Sequence, residues 1–463
     1  MRYLRSRLAA RYGKGHKRPI FQHITPELLK EYPVVLSTTF SSRSNFRAET
    51  LFDYVIMDEA SQVSSETGAL ALMCARNAVI VGDSMQLPNV ITDADRLRMQ
   101  AIAAKHAIDP RYDCAALSFL ESVCRVFPEA PQTLLREHYR CHPKIINFCN
   151  QRFYGGRLLI MTEDHGEPDV ITAWRTAPGH HARGAFNPRE IETIRREMLP
   201  SLPCEPAEIG IISPYNEQVN ALHRELGGGI DVATVHKFQG REKEAIILST
   251  VDDQITAFTD DPNLLNVAVS RAKRQFTLVT SSNEQPDSRN IADLLAYIDY
   301  NGGKITESAI HSVFDLLYEP YAEARREFLK RHRRISEFDS ENLTYALLER
   351  VLEADPAFRH LGVLCHQPLR QLIRDWTILD DEERRYALNG ATHLDFLIYN
   401  RVSKRPVLAI ETDGYQFHKQ GTRQSERDRM KDRILDRYSL PLLRLSTTGT
   451  DEEAKIHTLL KRN

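Results

Sequence analysis

Short apolar and β-branched runs alternate with helical patterns from about Phe52 to Ser282. Strands that alternate with helices form parallel sheets with helical crossovers, so this pattern predicts an α/β fold. The predicted strands are FDYVIMDE, NAVIVGD, EIGIISPY, DVATVHKF, EAIILSTV and FTLVTS, and the helical patterns include SETGALALMCAR, NEQVNALHREL and LLNVAVSRAKRQ.

The pattern changes at about Asn290, where the chain becomes helical and charged without a strand signal as far as Glu341. We interpret this stretch as a connector, and its basic run KRHRR fits a solvated helix end better than a phosphate-binding site. A separate α/β unit follows. It is predicted from a helix around Leu343–Leu352, the strands HLDFLIYN and PVLAIETDG, the helix SERDRMKDRILDRY and the strand LPLLRLS.

Composition narrows the class of protein. The 463 residues suffice for about three domains, and 42% hydrophobic with 27% charged residues is typical of a folded chain. The seven cysteines include no CxxC pair, so we expect reduced thiols. No apolar run reaches the roughly 20 residues of a membrane span, and the N-terminus lacks a secretory signal, which predicts a cytoplasmic protein. Because the net charge is −2, any nucleic acid must be bound by local basic surfaces.

Two polar segments follow predicted strands, at the edge of a parallel sheet where ligands bind. Asp58 and Glu59 end the strand YVIMDE, where they could hold Mg²⁺ through water and orient or deprotonate an attacking water. Gln86, in GDSMQLP after the next strand, could report the state of a bound nucleotide through its amide.

Three later segments add charge and a glycine. Arg140 in REHYRCHP and Arg271 in VAVSRAKRQ are candidates to neutralise a transferring phosphoryl group. In TVHKFQGREKEAIILS, Gly240 permits close backbone approach and Glu242 could accept a hydrogen bond from a ribose hydroxyl. Each residue alone is more simply a surface or loop residue, and it is their combination that indicates a nucleotide site.

In this order, the segments DEAS, GDSMQLP, YRCHP, SPYNEQ, FQGRE and NVAVSRAKR resemble motifs II to VI of superfamily 1 helicases, and most closely the group of nonsense-mediated-decay and replication helicase-nucleases. The resemblance covers about half the chain. It implies two RecA-like domains that bind ATP-Mg²⁺ between them and move along single-stranded nucleic acid, with the residues above in the roles given. Tyr215 and Gln218 would lie in the second of these domains.

A zinc site is a second interpretation of one of these segments, since His138, Cys141, His142 and Cys149 lie close in sequence. The helicase-like motif followed by an amphipathic helix accounts for the same residues, and we prefer that explanation.

The chain departs from the helicase pattern because it contains no GxxxxGK[ST] sequence. Without that loop there are no backbone N–H groups and no lysine to bind the β- and γ-phosphates. We therefore predict that this chain alone does not hydrolyse ATP, and that YVIMDE has an open apolar edge. A truncated or split reading frame, a chosen chain boundary, or a partner chain that supplies the loop would each explain the pattern.

The C-terminal unit contains a second candidate site. Asp395 and Glu411 are equidistant in sequence from Ser403, in a polar turn, so a hairpin centred there places them opposite each other on antiparallel strands. Asp413, two residues beyond Glu411, points to the same face. Three converging carboxylates favour a divalent cation, and oxygen ligands suit Mg²⁺ or Mn²⁺. Such an ion activates water and stabilises charge on a scissile phosphate, which predicts phosphodiester hydrolysis.

Downstream residues could assist this chemistry. Asp428 and Lys431 share a helix face, from which Lys431 could reach the phosphate or the attacking water, and His418 could act similarly. The simpler alternative is that the acids cap strands and the lysine is solvated. The apolar strand VLAIE, which ends in Glu411, favours the nuclease interpretation.

This segment resembles the PD-(D/E)XK nucleases over about Asn342–Thr450, and most closely the branch of the very-short-patch-repair endonucleases. Asp395 matches the first acid and Glu411 the second, whereas Asp413 stands where that superfamily has lysine, so Lys431 is the candidate replacement. Glu349 matches the helical acid, in competition with Glu353. Cys365 is the one cysteine of the unit, which excludes an iron–sulfur cluster.

We expect an α/β protein with four parts: a partial first RecA-like domain (1–135), a second RecA-like domain (136–285), a helical connector (286–341) and a restriction-endonuclease-like α/β domain (342–463). The predicted function is a Mg²⁺- or Mn²⁺-dependent DNA nuclease joined to an incomplete helicase motor, acting on single-stranded or duplex DNA in repair or in defence against foreign DNA. The alternative is a non-catalytic nucleic-acid-binding fragment whose ATPase site a partner chain completes. An active RNA helicase is disfavoured by the missing loop.

Overall fold

The computed structural model describes residues 29–30, 32–45, 50–317, 322–390, 392–413 and 423–462. The chain divides into two compact units. One contains the residues up to 139 with 149–161 and 262–267, and the other contains 140–148, 162–261 and the residues from 268 onward. Every helix in the described part of the chain is too short or too polar to cross a membrane.

The first unit is built on a two-stranded parallel sheet. Its elements up to residue 139 are α1 (Thr39–Ser42), β1 (Phe52–Met57), α2 (Ser65–Leu72), β2 (Ala75–Ile80), α3 (Asp93–His106), α4 (Phe119–Val126) and β3 (Glu137–His138). Helix α4 begins with a capping box, in which Ser118 and Glu121 satisfy each other's backbone N–H groups. One buried apolar cluster comprises Met57, Ala60, Ala71 and Phe119, and Leu87, Leu117, Leu265 and Val267 of the same unit are also buried.

The second unit contains a six-stranded parallel sheet with strand order β10-β5-β9-β8-β6-β7. The elements from 143 to 307 are α5 (Pro143–Phe153), β4 (Leu159–Ile160), β5 (Ile171–Thr176), α6 (Pro188–Thr193), β6 (Ile209–Ser213), α7 (Asn216–Leu226), β7 (Asp231–Thr234), α8 (Val235–Phe238), β8 (Lys243–Ser249), α9 (Pro262–Val269), β9 (Ala272–Ser281), α10 (Asn290–Tyr300) and β10 (Ile305–Glu307). Strands β6, β8 and β9 are almost continuously buried, as expected for a parallel sheet covered on both faces.

The same unit contains a second, four-stranded sheet with order β11-β12-β13-β14. Its elements are α11 (Ala322–Arg331), α12 (Asp339–Ala354), β11 (Leu361–Pro368), α13 (Asp381–Leu388), β12 (His393–Asn400), β13 (Pro406–Asp413), α14 (Arg423–Arg437), β14 (Leu442–Ser446) and α15 (Glu452–Arg462). Strands β11, β12 and β13 are antiparallel, and β14 is parallel to β13. Helices α12 and α15 cover one face of this sheet, and α13 and α14 cover the other.

The predicted α/β class is confirmed, but the expectation of a strand-free connector is wrong. Residues Ile305–Glu307 form β10 and pair with β5 at the edge of the six-stranded sheet. Three residues are too few to give a visible period-2 pattern, so the pairing depends on the neighbouring strand and not on the local sequence.

A buried arginine joins the two sheets of the second unit. Arg189 in α6 is almost fully buried, and its guanidinium donates to both carboxylate oxygens of Asp315 at 3.3 and 3.2 Å. The same group donates to the carbonyl oxygens of Ile310 at 2.9 Å and Gly449 at 3.3 Å. Since a buried charge that loses its partners is strongly destabilising, this contact fixes the segment after β14 against α6.

Candidate nucleotide and metal sites

Asp58 and Glu59 lie at the carboxyl end of β1, as predicted, and both side chains are exposed. Glu59 adopts a left-handed backbone with φ of 51°, a conformation that is uncommon for a residue other than glycine. The Asp58 carboxylate accepts from the Glu59 N–H at 2.9 Å, and the Glu59 carboxylate accepts from the Gln62 amide at 3.1 Å. These contacts stabilise the turn that presents both acids to solvent.

The loop after β2 approaches the loop after β1 closely. A Cβ atom on Gly82 would lie 3.1 Å from the Ala60 nitrogen and 3.2 Å from the Ser61 nitrogen. Only glycine therefore fits without movement, which explains the first residue of GDSMQLP. The two segments that the sequence placed at one sheet edge are indeed adjacent.

Asp83, which the sequence reasoning did not single out, organises this loop. Its carboxylate accepts from the Met85 N–H at 2.9 Å, from the Tyr154 hydroxyl at 2.6 Å and from the Gln86 amide at 3.3 Å. Burial and the charge of Asp83 raise the pKa of Tyr154, so its hydroxyl keeps the proton that it donates. The Gln86 amide is thus held by its own loop.

In the second unit, Glu242 is the centre of a charge cluster. Its carboxylate contacts Arg140 Nε at 2.7 Å and Lys273 Nζ at 2.8 Å. The hydrogen bond from Lys273 and the charge of Arg140 lower the pKa of Glu242, which therefore stays ionised. Both oxygens are engaged by cations in this arrangement, whereas the sequence suggested contact with a ribose hydroxyl. The motif comparison did not identify Lys273 as a site residue, although it lies two residues beyond Arg271 in VAVSRAKRQ.

Arg271 and Gly240 lie near this cluster. Arg271 is only 5% exposed, and its charge acts on the thiol of Cys141 together with those of Arg140 and Glu242. Gly240 has φ of 78° and open space around its Cα. The left-handed backbone favours glycine at this position.

The C-terminal hairpin places Asp395 and Glu411 side by side, as predicted. Strands β12 and β13 pair Phe396 with Ile410, the register that sets Asp395 opposite Glu411. The Glu411 carboxylate accepts from the Asp395 N–H at 3.3 Å, and the Asp395 carboxylate accepts from the Thr412 N–H at 2.8 Å. The two acids therefore lie at one end of the hairpin.

Lys431 on α14 reaches this pair. Its Nζ donates to Glu411 Oε2 at 2.6 Å and to the His393 carbonyl at 2.9 Å. Glu411 and Lys431 are 6% and 9% exposed, so the ion pair is shielded from solvent. Burial and the neighbouring Asp395 raise the pKa of Glu411, and Lys431 opposes that shift. The predicted placement of Lys431 toward the acids is matched by this contact.

Asp413 makes a different contact from the one predicted. It lies on the same strand, but its carboxylate pairs with Arg444 on β14 at 3.0 Å. Asp428, predicted to share a face with Lys431, lies 3.6 Å from the same guanidinium. Within the described residues, these acids do not join Asp395 and Glu411 in a set of three ligand atoms. Arg444 draws Asp413 away, and a contact from another strand could not be read from local spacing.

A helical acid also contacts this region, but it is not the predicted one. Glu341 on α12 has a buried Oε2 without a hydrogen-bond partner in the described structure, and it lies 3.6 Å from His366 Nε2. His366 has φ of 49° on β11, in the register opposite Asp395. Glu349, the predicted acid, hydrogen-bonds to the Tyr345 hydroxyl. His418 lies outside the described residues.

The zinc interpretation is not supported by the contacts of its residues. Among the described residues, the one group of three potential ligands combines His142 with Asp164 and Glu167. The Lys144 N–H donates to His142 Nδ1 at 3.1 Å, so the neutral ring carries its proton on Nε2. Nε2 lies 3.4 Å from Asp164 and 3.3 Å from Glu167. Lys144 Nζ lies 3.3 Å from Asp164 and supplies the balancing charge.

Three family models match the chain. Two are described as AAA domain, over residues 7–94 and 115–283. The third, over residues 338–462, is described as protein of unknown function (DUF2726). An uncharacterised ATP-dependent helicase of Methanocaldococcus jannaschii is 27% identical over 57% of this chain. The DNA replication ATP-dependent helicase/nuclease DNA2 of Gallus gallus is 28% identical over 55% of this chain. Over about half of its length, this chain is similar to proteins described as ATP-dependent helicases.

The similarity covers less than half of each of these two relatives. The chain spans 41% of the archaeal protein and 25% of the Gallus gallus protein. Solved structures include an arterivirus nonstructural protein 10 helicase with DNA, at 15% identity and a TM-score of 0.29 over 54% of this chain and 44% of that one. The C-terminal domain of a possible DNA helicase from Lactobacillus plantarum is 17% identical, with a TM-score of 0.25. The match covers 36% of this chain and 98% of that domain.

Proposed function

We propose that the chain is a metal-dependent DNA nuclease joined to an incomplete superfamily 1 motor. The observation that supports this proposal is the group formed by half-buried Asp395 with buried Glu411 and Lys431, which places two carboxylates and a cation at the end of one hairpin. Ion pairs that only stabilise a fold rarely place two like charges side by side in a shielded site, because their repulsion is costly there.

The residues fit a divalent cation by the chemistry of their donors. Asp395 and Glu411 would hold Mg²⁺ or Mn²⁺ through their carboxylate oxygens. Among the described residues, no third acid, Glu341 included, joins these two in a set of three close ligand atoms. When bound, such an ion lowers the pKa of water and neutralises charge on a phosphate. Lys431 fixes the orientation of Glu411 and supplies a positive charge toward the phosphate. The Thr412 N–H fixes Asp395.

For the motor half, we propose nucleotide or nucleic-acid binding without ATP hydrolysis by this chain alone. The supporting observation is the sequence, which lacks the phosphate-binding loop that follows the first strand in such enzymes. Asp58, Glu59, Arg140 and Arg271 would then contribute to hydrolysis only with a loop from another chain.

The test is cleavage of linear and circular DNA, single-stranded and duplex, with Mg²⁺ or Mn²⁺ and without ATP. Glu411→Gln keeps the shape of the side chain and should abolish cleavage. The matched control is Glu452→Gln, which alters another buried glutamate of the same unit, bonded to Ser312 at 3.0 Å. Equal cleavage by the wild type and Glu411→Gln, or equal loss in both variants, would contradict the proposal.

A non-catalytic nucleic-acid-binding fragment is the second candidate. It is favoured by the pairing of Asp413 with Arg444, which removes one carboxylate from the predicted set. Under this candidate, wild-type protein binds DNA but leaves every substrate intact with either metal. Under the same candidate, isothermal titration calorimetry with Mn²⁺ gives the same result for the wild type and for Glu411→Gln, because Glu411 does not bind the metal.

A further inference from the structure

The turn between β12 and β13 forms a basic tip at the other end of the hairpin from Asp395 and Glu411. Arg401, Lys404 and Arg405 lie in this turn, and Arg359 lies beside it at the start of β11. All four are exposed. The segments 356–365 and 398–407 contain no aspartate or glutamate, and no described residue forms an ion pair with these four cations.

The turn has a defined conformation. The Asn400 side chain accepts from the Val402 N–H at 2.9 Å and from the Ser403 N–H at 3.0 Å. Lys404 adopts a left-handed backbone with φ of 58°, and its N–H donates to the Asn400 carbonyl at 2.8 Å. The side-chain oxygen and the backbone carbonyl of Asn400 both accept hydrogen bonds from this turn, so the backbone that carries the cations has a defined conformation.

Two of the cations are also positioned by packing. A Cβ on Gly362 would lie 3.0 Å from Arg401 Nε and 3.0 Å from Tyr399 Cε1, so the arginine crosses the strand where glycine leaves room. Lys404 Nζ lies 5.7 Å from the centre of the Tyr399 ring, within range of a cation–π contact. Between them, at the apex, Val402 is 84% exposed.

We propose that this basic tip binds the backbone of duplex DNA at a distance from the phosphate that Asp395 and Glu411 would address. Unpaired exposed cations are well suited to phosphates because they release condensed counterions. Asn400 lies five residues beyond Asp395 on β12, which is roughly 17 Å at about 3.3 Å per residue. That length corresponds to about five base pairs at about 3.4 Å each. Because the net charge is −2, binding of DNA would depend on local basic surfaces such as this one.

The proposed role of the basic tip rests on the proposed nuclease activity. The binding of duplex DNA by the tip can nevertheless be measured without any cleavage. Binding of a labelled duplex is measured by fluorescence anisotropy in EDTA, between about 50 and 200 mM KCl. The test variant is the triple change Arg401→Gln, Lys404→Gln and Arg405→Gln. We expect weaker binding and a salt-dependence slope reduced by about 2 to 3, since each lost phosphate contact removes about 0.9.

The matched control removes the same charge elsewhere in the unit. Arg326, Lys330 and Arg331 on α11 are exposed, and Arg326 and Arg331 each lie 3.9 Å from a glutamate of the same helix. Changing all three to glutamine should leave the slope almost unchanged. Equal effects of the two triple variants would show that only the net charge matters, and would overturn the proposal. Unchanged duplex binding by the tip variant would also overturn it and would leave another polyanion as the partner of the tip.

Cleavage separates this proposal from the nuclease proposal. If the wild type cleaves DNA, the tip variant should raise KM with kcat largely retained, because its cations do not touch the acids. If no protein cleaves DNA but the tip variant still loses duplex affinity, the tip is supported and the nuclease is not. Circular dichroism of both triple variants verifies that the fold is intact.

Discussion

The sheet of the first unit and the sheets of the second unit use similar strands in different surroundings. In β1 and β2, Tyr54, Ile56 and Val79 are exposed, and Ile56 retains 71% of its accessible surface. In β12 and β13, Phe396, Ile398 and Ile410 are completely buried. An apolar alternation therefore predicts a strand in both cases. It does not predict burial, which depends on the helices and strands that cover it.

The difference has a physical consequence for stability. At about 25 cal/mol per Å², an apolar side chain contributes only when its surface leaves water. The four-stranded sheet is covered on both faces by helices, whereas Tyr54, Ile56 and Val79 on the two-stranded sheet of the first unit remain exposed. We expect the second unit to be the more stable and the first to depend on further contacts.

The largest expected effect is a core truncation. Phe396→Ala removes a fully buried ring and should destabilise the second unit by about 3–5 kcal/mol. Both tryptophans, Trp174 and Trp376, belong to that unit, so tryptophan fluorescence during urea unfolding reports it selectively. Tyr54→Ala, on the exposed sheet, is the matched aromatic control and should leave this transition in place. Similar shifts in both variants would contradict the comparison.

The hairpin shows how much of the candidate site could be predicted. The pairing of Asp395 with Glu411 was predicted from a turn centred on Ser403, and the register at Phe396 and Ile410 agrees with it. The irregularity between Ile398 and Tyr399, which shifts the register by one residue toward the turn, could not be read from strand periodicity. Arg444 binding Asp413 and Glu341 beside His366 could not be predicted, since both are contacts between elements distant in sequence. Motif spacing likewise located Glu242 but not the two cations that engage it.

The fold was predictable to a similar degree. Long apolar runs such as those of β6 and β8 identified the parallel sheet, because a strand buried on both faces needs little context. The three-residue β10 was missed, since its pairing with β5 is decided by an edge made elsewhere. The Arg189–Asp315 contact joins residues that are far apart in sequence and has no local signal.

A smaller expected effect is the pH dependence of stability that arises from a buried glutamate in the second unit. Glu190 is fully buried and accepts from Ser249, Thr250 and the Val251 N–H. Burial raises the pKa of Glu190 to about 8, although these hydrogen bonds oppose the shift. As pH rises from the ordinary value of 4.5 to about 8, the unfolded state loses a proton that the folded state keeps. Stability therefore falls across this range, by at most about 1.4 kcal/mol per pH unit.

Glu190→Gln removes this titration. Thermal unfolding followed by tryptophan fluorescence should show a flatter dependence of Tm on pH between about 5 and 8 than in the wild type. Glu205→Gln, an exposed glutamate of the same unit, is the control and should leave the pH dependence unchanged. A variant curve parallel to the wild-type curve would mean that Glu190 is ionised in the folded state.

The smallest expected effect on stability is at the exposed sheet. Ile56→Ser replaces a side chain that already lies in water, so the free energy of unfolding should change by no more than about 0.5 kcal/mol. Aggregation should nevertheless decrease, because an exposed apolar strand is a pairing site for other chains. Light scattering during incubation at a fixed protein concentration measures this, with Ile398→Ser as the buried counterpart that should instead promote aggregation by unfolding the second unit. A strongly destabilised Ile56→Ser protein would mean that this face is covered in solution, and the contrast between the two units would then lose its basis.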